Sequence, residues 1–165
     1  MRGQMETRNR VRGIAHNKNV GKITVQGVPD RPGIAAAIFE PLAEKGISVD
    51  TIVQNSSVER ITDLTFTVAR GDLEAALGIV RPVAESMGAG DCVGDAHLGN
   101  VSIVGTGMQH SPGYAARMFR ALYEANVNIE MITTSEIRIT CIVAEDRVED
   151  AVRALHKAFQ LDQAD

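Results

Sequence analysis

Apolar residues recur along this chain at two periods, and the two alternate. Ala35, Ile38, Phe39 and Leu42 follow the i, i+3, i+4, i+7 spacing that lays one apolar stripe along a helix. Leu64, Phe66 and Val68 are spaced by two, as on one face of a strand. Helical spacing returns at Leu73, Ala76, Leu77 and Val80. The whole series then repeats. Ala115, Met118, Phe119 and Leu122 match the first stripe at a constant offset of 80, as Gly107, Pro112 and Gly113 match Gly27, Pro32 and Gly33. Ile139, Cys141 and Val143, then Val148, Ala151, Val152 and Leu155, match the rest at an offset of 75. The five residues that drop out lie in one connection, where SSVERIT is the longer copy. Agreement broken only in a loop is the mark of a duplicated module.

Each copy reads strand, helix, strand, strand, helix. The pattern predicts these elements at 22–28, 32–45, 47–54, 61–69 and 72–87, and again at 100–106, 112–125, 127–134, 136–143 and 147–159. Asp72 and Asp146 are expected as N-caps, the latter with Glu149 completing a capping box. Gly46 suits the left-handed position after the first helix. Pro41 and Pro82 fall inside predicted helices and should kink or shorten them.

The first unit is followed by DCVGDAHL, enough for a fourth strand, whereas only QLDQAD follows Phe159. Val11 to Asn17, VRGIAHN, is a spare strand-like segment ahead of the first unit. If it pairs into the second sheet, that sheet is completed and unit one is inserted within unit two; otherwise it is a loose arm. The expected fold class is α+β: two ferredoxin-like βαββαβ units, antiparallel sheets with helices on one face. The expected division is a tail at 1–10, the completing strand at 11–17, unit one at 20–98 and unit two at 99–161.

Composition narrows the chemistry. A net charge of -4 and 4% aromatic residues without Trp give no footing for nucleic acid. Cys92 and Cys141 lie in apolar runs and are expected as reduced core residues, too few for a zinc site. His16, His97, His110 and His156 sit in unrelated contexts with no nucleophile beside them. No metal, cofactor or catalytic residue is expected. Nothing reads as a signal peptide or a bilayer-spanning run, so a cytoplasmic location is expected.

The loop GVPDRPG, Gly27 to Gly33, lacks the spacing and lysine of a phosphate loop. It does lead into a helix start, where amides near Gly33, Ile34 and Ala35 lack intrahelical acceptors and favour an anion. Asp30 offers a negative group to an ammonium, so the loop could take both charges of an α-amino acid. Equally, Asp30 could cap the helix and Pro32 begin it.

GVPDRPGIAAAIFEPLAEKGISVDTIVQN, ANVNIEMITTSEIRI and ALHKAFQL closely resemble the paired ACT domains of aspartate kinase, over about Val11 to Leu161. DRPG is common to many ACT domains; IVQNSS with VNIEMITTSEIRI is more specific. No kinase domain is expected ahead of them, since the chain is similar to the separate regulatory (beta) subunit of some bacterial aspartate kinases, with Met1 or Met5 expected as an internal start. The resemblance implies a non-catalytic homodimer that acts on a separate catalytic subunit, with effectors bound where unit one of one copy faces unit two of the other. It implies an effector shell of Asp30, Gly33, Ile34, Ala35 and Gln54, completed by Asn126, Asn128 and Ile129 of the second copy. Ser57 and Ser135 match positions near the effector. Gln54 and the asparagines suit a hydroxyl, so threonine is favoured over lysine. Unit two has His110 and Ser111 where unit one has Asp30 and Arg31, so its loop is expected to bind weakly or not at all. Regulation of another biosynthetic enzyme is the alternative.

Overall fold

The computed structural model describes residues 11–55, 59–107 and 112–160. Six strands and four helices follow in the order β1 Val11–Pro29, α1 Ile34–Glu44, β2 Val49–Gln54, β3 Ile61–Val68, α2 Leu73–Ser86, β4 Cys92–Gly105, α3 Pro112–Glu124, β5 Met131–Thr134, β6 Arg138–Ala144 and α4 Val148–Ala158. Asn19–His97 forms one compact unit, and the sequence on its two sides forms the other, so unit one is inserted in unit two.

In unit one the sheet order is β2-β3-β1-β4, supplied by the second half of β1 and the first of β4. The ladders are antiparallel, Ile23 opposite Phe66 and Ile52 opposite Phe66 on the other side. Ile38 and Leu42 of α1, Ala76 and Val80 of α2, and Ile23, Val25, Leu64 and Phe66 of the sheet are fully buried together. Phe39 meets Phe66 edge to face at 5.1 Å, a favoured aromatic geometry. Ala35, expected on the buried stripe, is exposed instead; Ile34 takes the inward place one residue earlier.

In unit two the order is β1-β4-β6-β5, with Val101 opposite Cys141 and Met131 opposite Ile142. Val11 lies in this core with Val101, Ile103, Met118, Leu122 and Leu155. Gly99 leaves no room for a side chain, since a Cβ would stand 2.9 Å from the Asn17 carbonyl oxygen and 2.5 Å from Val148. Both sheets thus have the 4-1-3-2 order of a βαββαβ unit.

Several local expectations need correction. The strands foreseen at 11–17 and 22–28 are one continuous β1, because the Asn19 side chain accepts the Arg70 N–H at 2.9 Å and the polar residues between stay extended. Pro41 and Pro82 are carried inside α1 and α2 without ending either. Neither Asp72 nor Asp146 caps a helix through its side chain. A 3₁₀ turn, Arg70–Asp72 or Glu145–Arg147, leads into each helix, so the backbone is helical before the cap is reached. Glu149 makes no capping box; it pairs with Lys18 at 2.5 Å, which lowers its carboxyl pKa. Gly46 behaves as expected. It has φ +73°, its N–H reaches the Ala43 carbonyl and the Ile47 N–H reaches Leu42, a Schellman ending.

Cys141 is buried in unit two, and burial pushes its thiol up to about 12 from 9.0. The unfolded chain therefore ionises first. The stabilising difference is intact below pH 9 and is lost as pH rises from there toward 12, at about 1.4 kcal/mol per pH unit. Urea midpoints at pH 8, 9 and 10 should fall more steeply for the native sequence than for Cys141→Val.

Candidate functional site

The GVPDRPG loop is held from two sides. Gly27, at φ +63°, sits in a bulge of β1 between Val25 and Val28, and its N–H donates to Asp63 Oδ1 at 3.1 Å. Pro29 pairs with Ile61, and the Asp30 N–H donates to the Arg60 carbonyl at 2.8 Å. Arg60 is itself left-handed, φ +60°, a conformation uncommon outside glycine and found where surroundings impose it.

The helix start excludes one of the two uses of Asp30, that of a helix cap. The N-cap of α1 is Gly33, at φ +90°, with no side chain capping the helix. Pro32 precedes the cap rather than starting the helix. A Cβ at Gly33 would meet nothing within 4 Å, so the glycine serves the backbone angle and not the space. The Ile34 N–H makes a long 3.4 Å bond to Arg31, and the Ala37 N–H bonds Gly33. Ala35 is exposed beside the first-turn amides, while the Ile34 side chain is buried in the core, so Ile34 offers only its backbone. Gln54 ends β2 of the same unit opposite Leu64 and is exposed. Asp30, Gly33, Ile34 and Ala35 thus share one turn, with Gln54 at the end of the edge strand.

The second group lies on one turn of unit two. Asn126 stands where unit one has Gly46, and it keeps the left-handed angle at φ +59°. Its N–H bonds the Tyr123 carbonyl and that of Val127 bonds Leu122, the same Schellman ending. Asn128 is exposed, its amide donating to Glu130 Oε1 at 3.4 Å, while Ile129 packs against the core. Ser135 follows β5, exposed, its N–H on the Arg138 carbonyl at 2.8 Å. Ser57, His110 and Ser111 lie outside the described residues.

One contributor escapes a reading of the sequence. Arg147 Nη2 donates to the carbonyls of Ala125 at 2.7 Å and Asn126 at 3.3 Å, while Nη1 donates to Asp150 at 2.6 Å. A signal was present: at the offset of 75 the turn Glu145-Asp146-Arg147 falls on Arg70-Gly71-Asp72, so the charges at both ends are reversed between otherwise matching apolar stripes. Among the described residues no group of three His, Cys, Asp or Glu could hold a metal, and no helix is long and apolar enough to cross a membrane.

Known proteins complete this description. ACT-domain models match residues 22–85 and 101–159, one on each unit. The regulatory subunit of aspartate kinase from Thermus thermophilus superposes with a TM-score of 0.87 at 39% identity, over 92% of this chain and 99% of that one. The chain belongs to the family of aspartate kinase regulatory subunits, tandem ACT-domain proteins. A chain in a crystal structure of aspartokinase alpha and beta subunits is 45% identical, with a TM-score of 0.84 over 91% of this chain and 99% of that chain. An aspartate kinase of Stutzerimonas stutzeri is 47% identical over 152 residues, 92% of this chain. The match covers only 37% of that longer enzyme's length.

Proposed function

We propose that this chain senses an end-product amino acid, threonine before lysine, and mediates feedback inhibition of a separate aspartate kinase catalytic subunit in the cytoplasm. The observation that carries the reading is the α1 start. Asp30 comes three residues before a Gly33 cap that no side chain completes, so in this reading its carboxylate takes the ammonium and the first-turn amides take the carboxylate. The chain itself is then non-catalytic, and aspartate phosphorylation belongs to the partner subunit.

In this reading two copies pair, unit one of each facing unit two of the other. Asp30, Gly33, Ile34, Ala35 and Gln54 of one copy meet Asn126, Asn128 and Ile129 of the second, with Ser57 and Ser135 near the effector. Gln54 and Asn128 hydrogen-bond the effector's polar side chain. Ile52 and Ile132, at equivalent places on the outer strands β2 and β5, are exposed at 53% and 45%, and such a pairing would cover them. Two equivalent sites per dimer follow, because the second loop lacks an acidic residue at the place of Asp30. Preferential binding to the inhibited arrangement, with a coupling of about 1–3 kcal/mol, suffices for strong feedback.

Calorimetric titration with all twenty amino acids tests the reading. Saturable heat for threonine alone is expected; heat for lysine alone would reassign the ligand, and no heat for any would sink the sensor. Because each site draws on two copies, effector should also tighten the dimer by linkage. At a hundred times Kd the gain is about 2.7 kcal/mol per site, measurable as a lower dissociation constant in sedimentation equilibrium.

A further inference from the structure

We propose that Arg147 is a positioning residue that fixes the backbone angles of Asn126 and so aims its side chain at the effector, an inference that rests on the sensor reading above. The Schellman ending of α3 uses the N–H groups of Asn126 and Val127 and leaves the carbonyls of Ala125 and Asn126 projecting past the helix end. Both accept from the same guanidinium nitrogen of Arg147. These carbonyls belong to the two peptide planes that flank the Asn126 Cα. Pinning both planes fixes φ and ψ of Asn126, and with them the direction of its side chain.

That constraint has work to do, because Asn126 sits at φ +59°. Asparagine tolerates this region but does not prefer it, and such angles persist where neighbours over-determine them. The guanidinium is itself held. Nη1 donates to Asp150 Oδ2 at 2.6 Å, and the other Asp150 oxygen accepts from Arg153. A cation beside helix C-terminal carbonyls is also favoured by the helix dipole. A lysine, with one compact charge, does not span two carbonyls and a carboxylate in this way.

Unit one provides the contrast. It has glycine at the place of Asn126, with no side chain to aim, and Asp72 at the place of Arg147. Its Schellman ending makes the same two backbone bonds around a glycine, so the Arg147 contact belongs to the copy whose turn carries an amide side chain.

Threonine and lysine titrations of the full chain test this, with Arg147→Ala, Arg147→Lys, Asn126→Gly and the double variant Asn126→Gly/Arg147→Ala. Arg147→Ala should weaken effector affinity by about tenfold, through lost preorganisation, and Arg147→Lys by less. In the Asn126→Gly background the same Arg147→Ala change should alter affinity less than about twofold, since no side chain remains to be aimed. Its effect on the thermal midpoint should persist there undiminished. Native affinity in the single variant overturns the proposal, as does an equal loss of affinity in both backgrounds, which marks a general structural role. If Arg147→Ala does not fold, Arg147→Lys carries the comparison. Absence of any binding to the native chain instead removes the sensor reading, and the proposal with it.

Discussion

Asp30→Ala is expected to abolish measurable effector binding while leaving the fold intact. The two halves of this expectation have separate physical grounds. Asp30 lies outside the core, half-buried, and α1 is capped by Gly33 with no side-chain hydrogen bond. Truncating it leaves its backbone N–H on Arg60 untouched. Substitutions of this kind stay within about 0.5 kcal/mol. Binding differs, because the ammonium of an amino acid closed between two copies would keep its charge and lose its partner. Removing one member of a desolvated, hydrogen-bonded charge pair costs about 2–5 kcal/mol, or roughly 30-fold to several thousandfold in Kd. Asp30→Asn separates charge from shape: it should bind weakly if the ammonium needs only a hydrogen-bond acceptor, and not at all if it needs the charge. Calorimetry beside thermal unfolding reads both halves. Native affinity in Asp30→Ala would return the loop to a plain helix entry, whereas loss of both binding and stability would make Asp30 structural.

What could be read without coordinates follows from the physics of each feature. The stripes Ile38–Leu42 and Met118–Leu122, and the alternation Leu64–Phe66–Val68, are visible because burial repeats with the period of the element that carries it. The insertion was visible too, because a fourth strand was missing from one copy and spare in front of the other. Asp72 and Asp146 misled because an acidic residue before an apolar stripe looks the same whether a cap or a 3₁₀ turn begins the helix. β1 looked divided because the segment His16 to Asn19 is polar, and polar extended residues carry no period. Arg147 was hidden for another reason: its partners are main-chain carbonyls, which have no letter in a sequence. On the site, Gly33 and Asn126 announce themselves by residue type, since few other residues accept their angles. The proposed meeting of the two turns across copies would be a matter of assembly, which one chain's pattern does not encode.

A chain beginning at Lys18 is expected to lose the second unit selectively. The first half of β1 supplies the outer strand beside β4 in that unit and brings Val11 into its core, with Ile14 packed against it. Two such aliphatic side chains, one buried and one partly so, are worth about 3–4 kcal/mol together. Each lost ladder bond removes a further 0.5–1.5 kcal/mol or so. Against the roughly 5–15 kcal/mol that holds a domain together, this leaves unit two marginal or unfolded. The loss also bares the Leu98–Gly105 part of β4 as a new edge, a template for aggregation. Unit one keeps everything it needs: its share of β1 begins at Asn19, and the Asn19 bond to the Arg70 N–H survives. Hydrogen exchange should therefore show protection lost across β6, α3 and α4 and retained across β3, α1 and α2. Urea unfolding should split into two transitions. The effector should no longer bind, although Asp30 and the α1 start remain folded, because the turn at Asn126 is gone. A single transition at the native midpoint would mean that the leading strand is a dispensable arm and that unit two is complete without it.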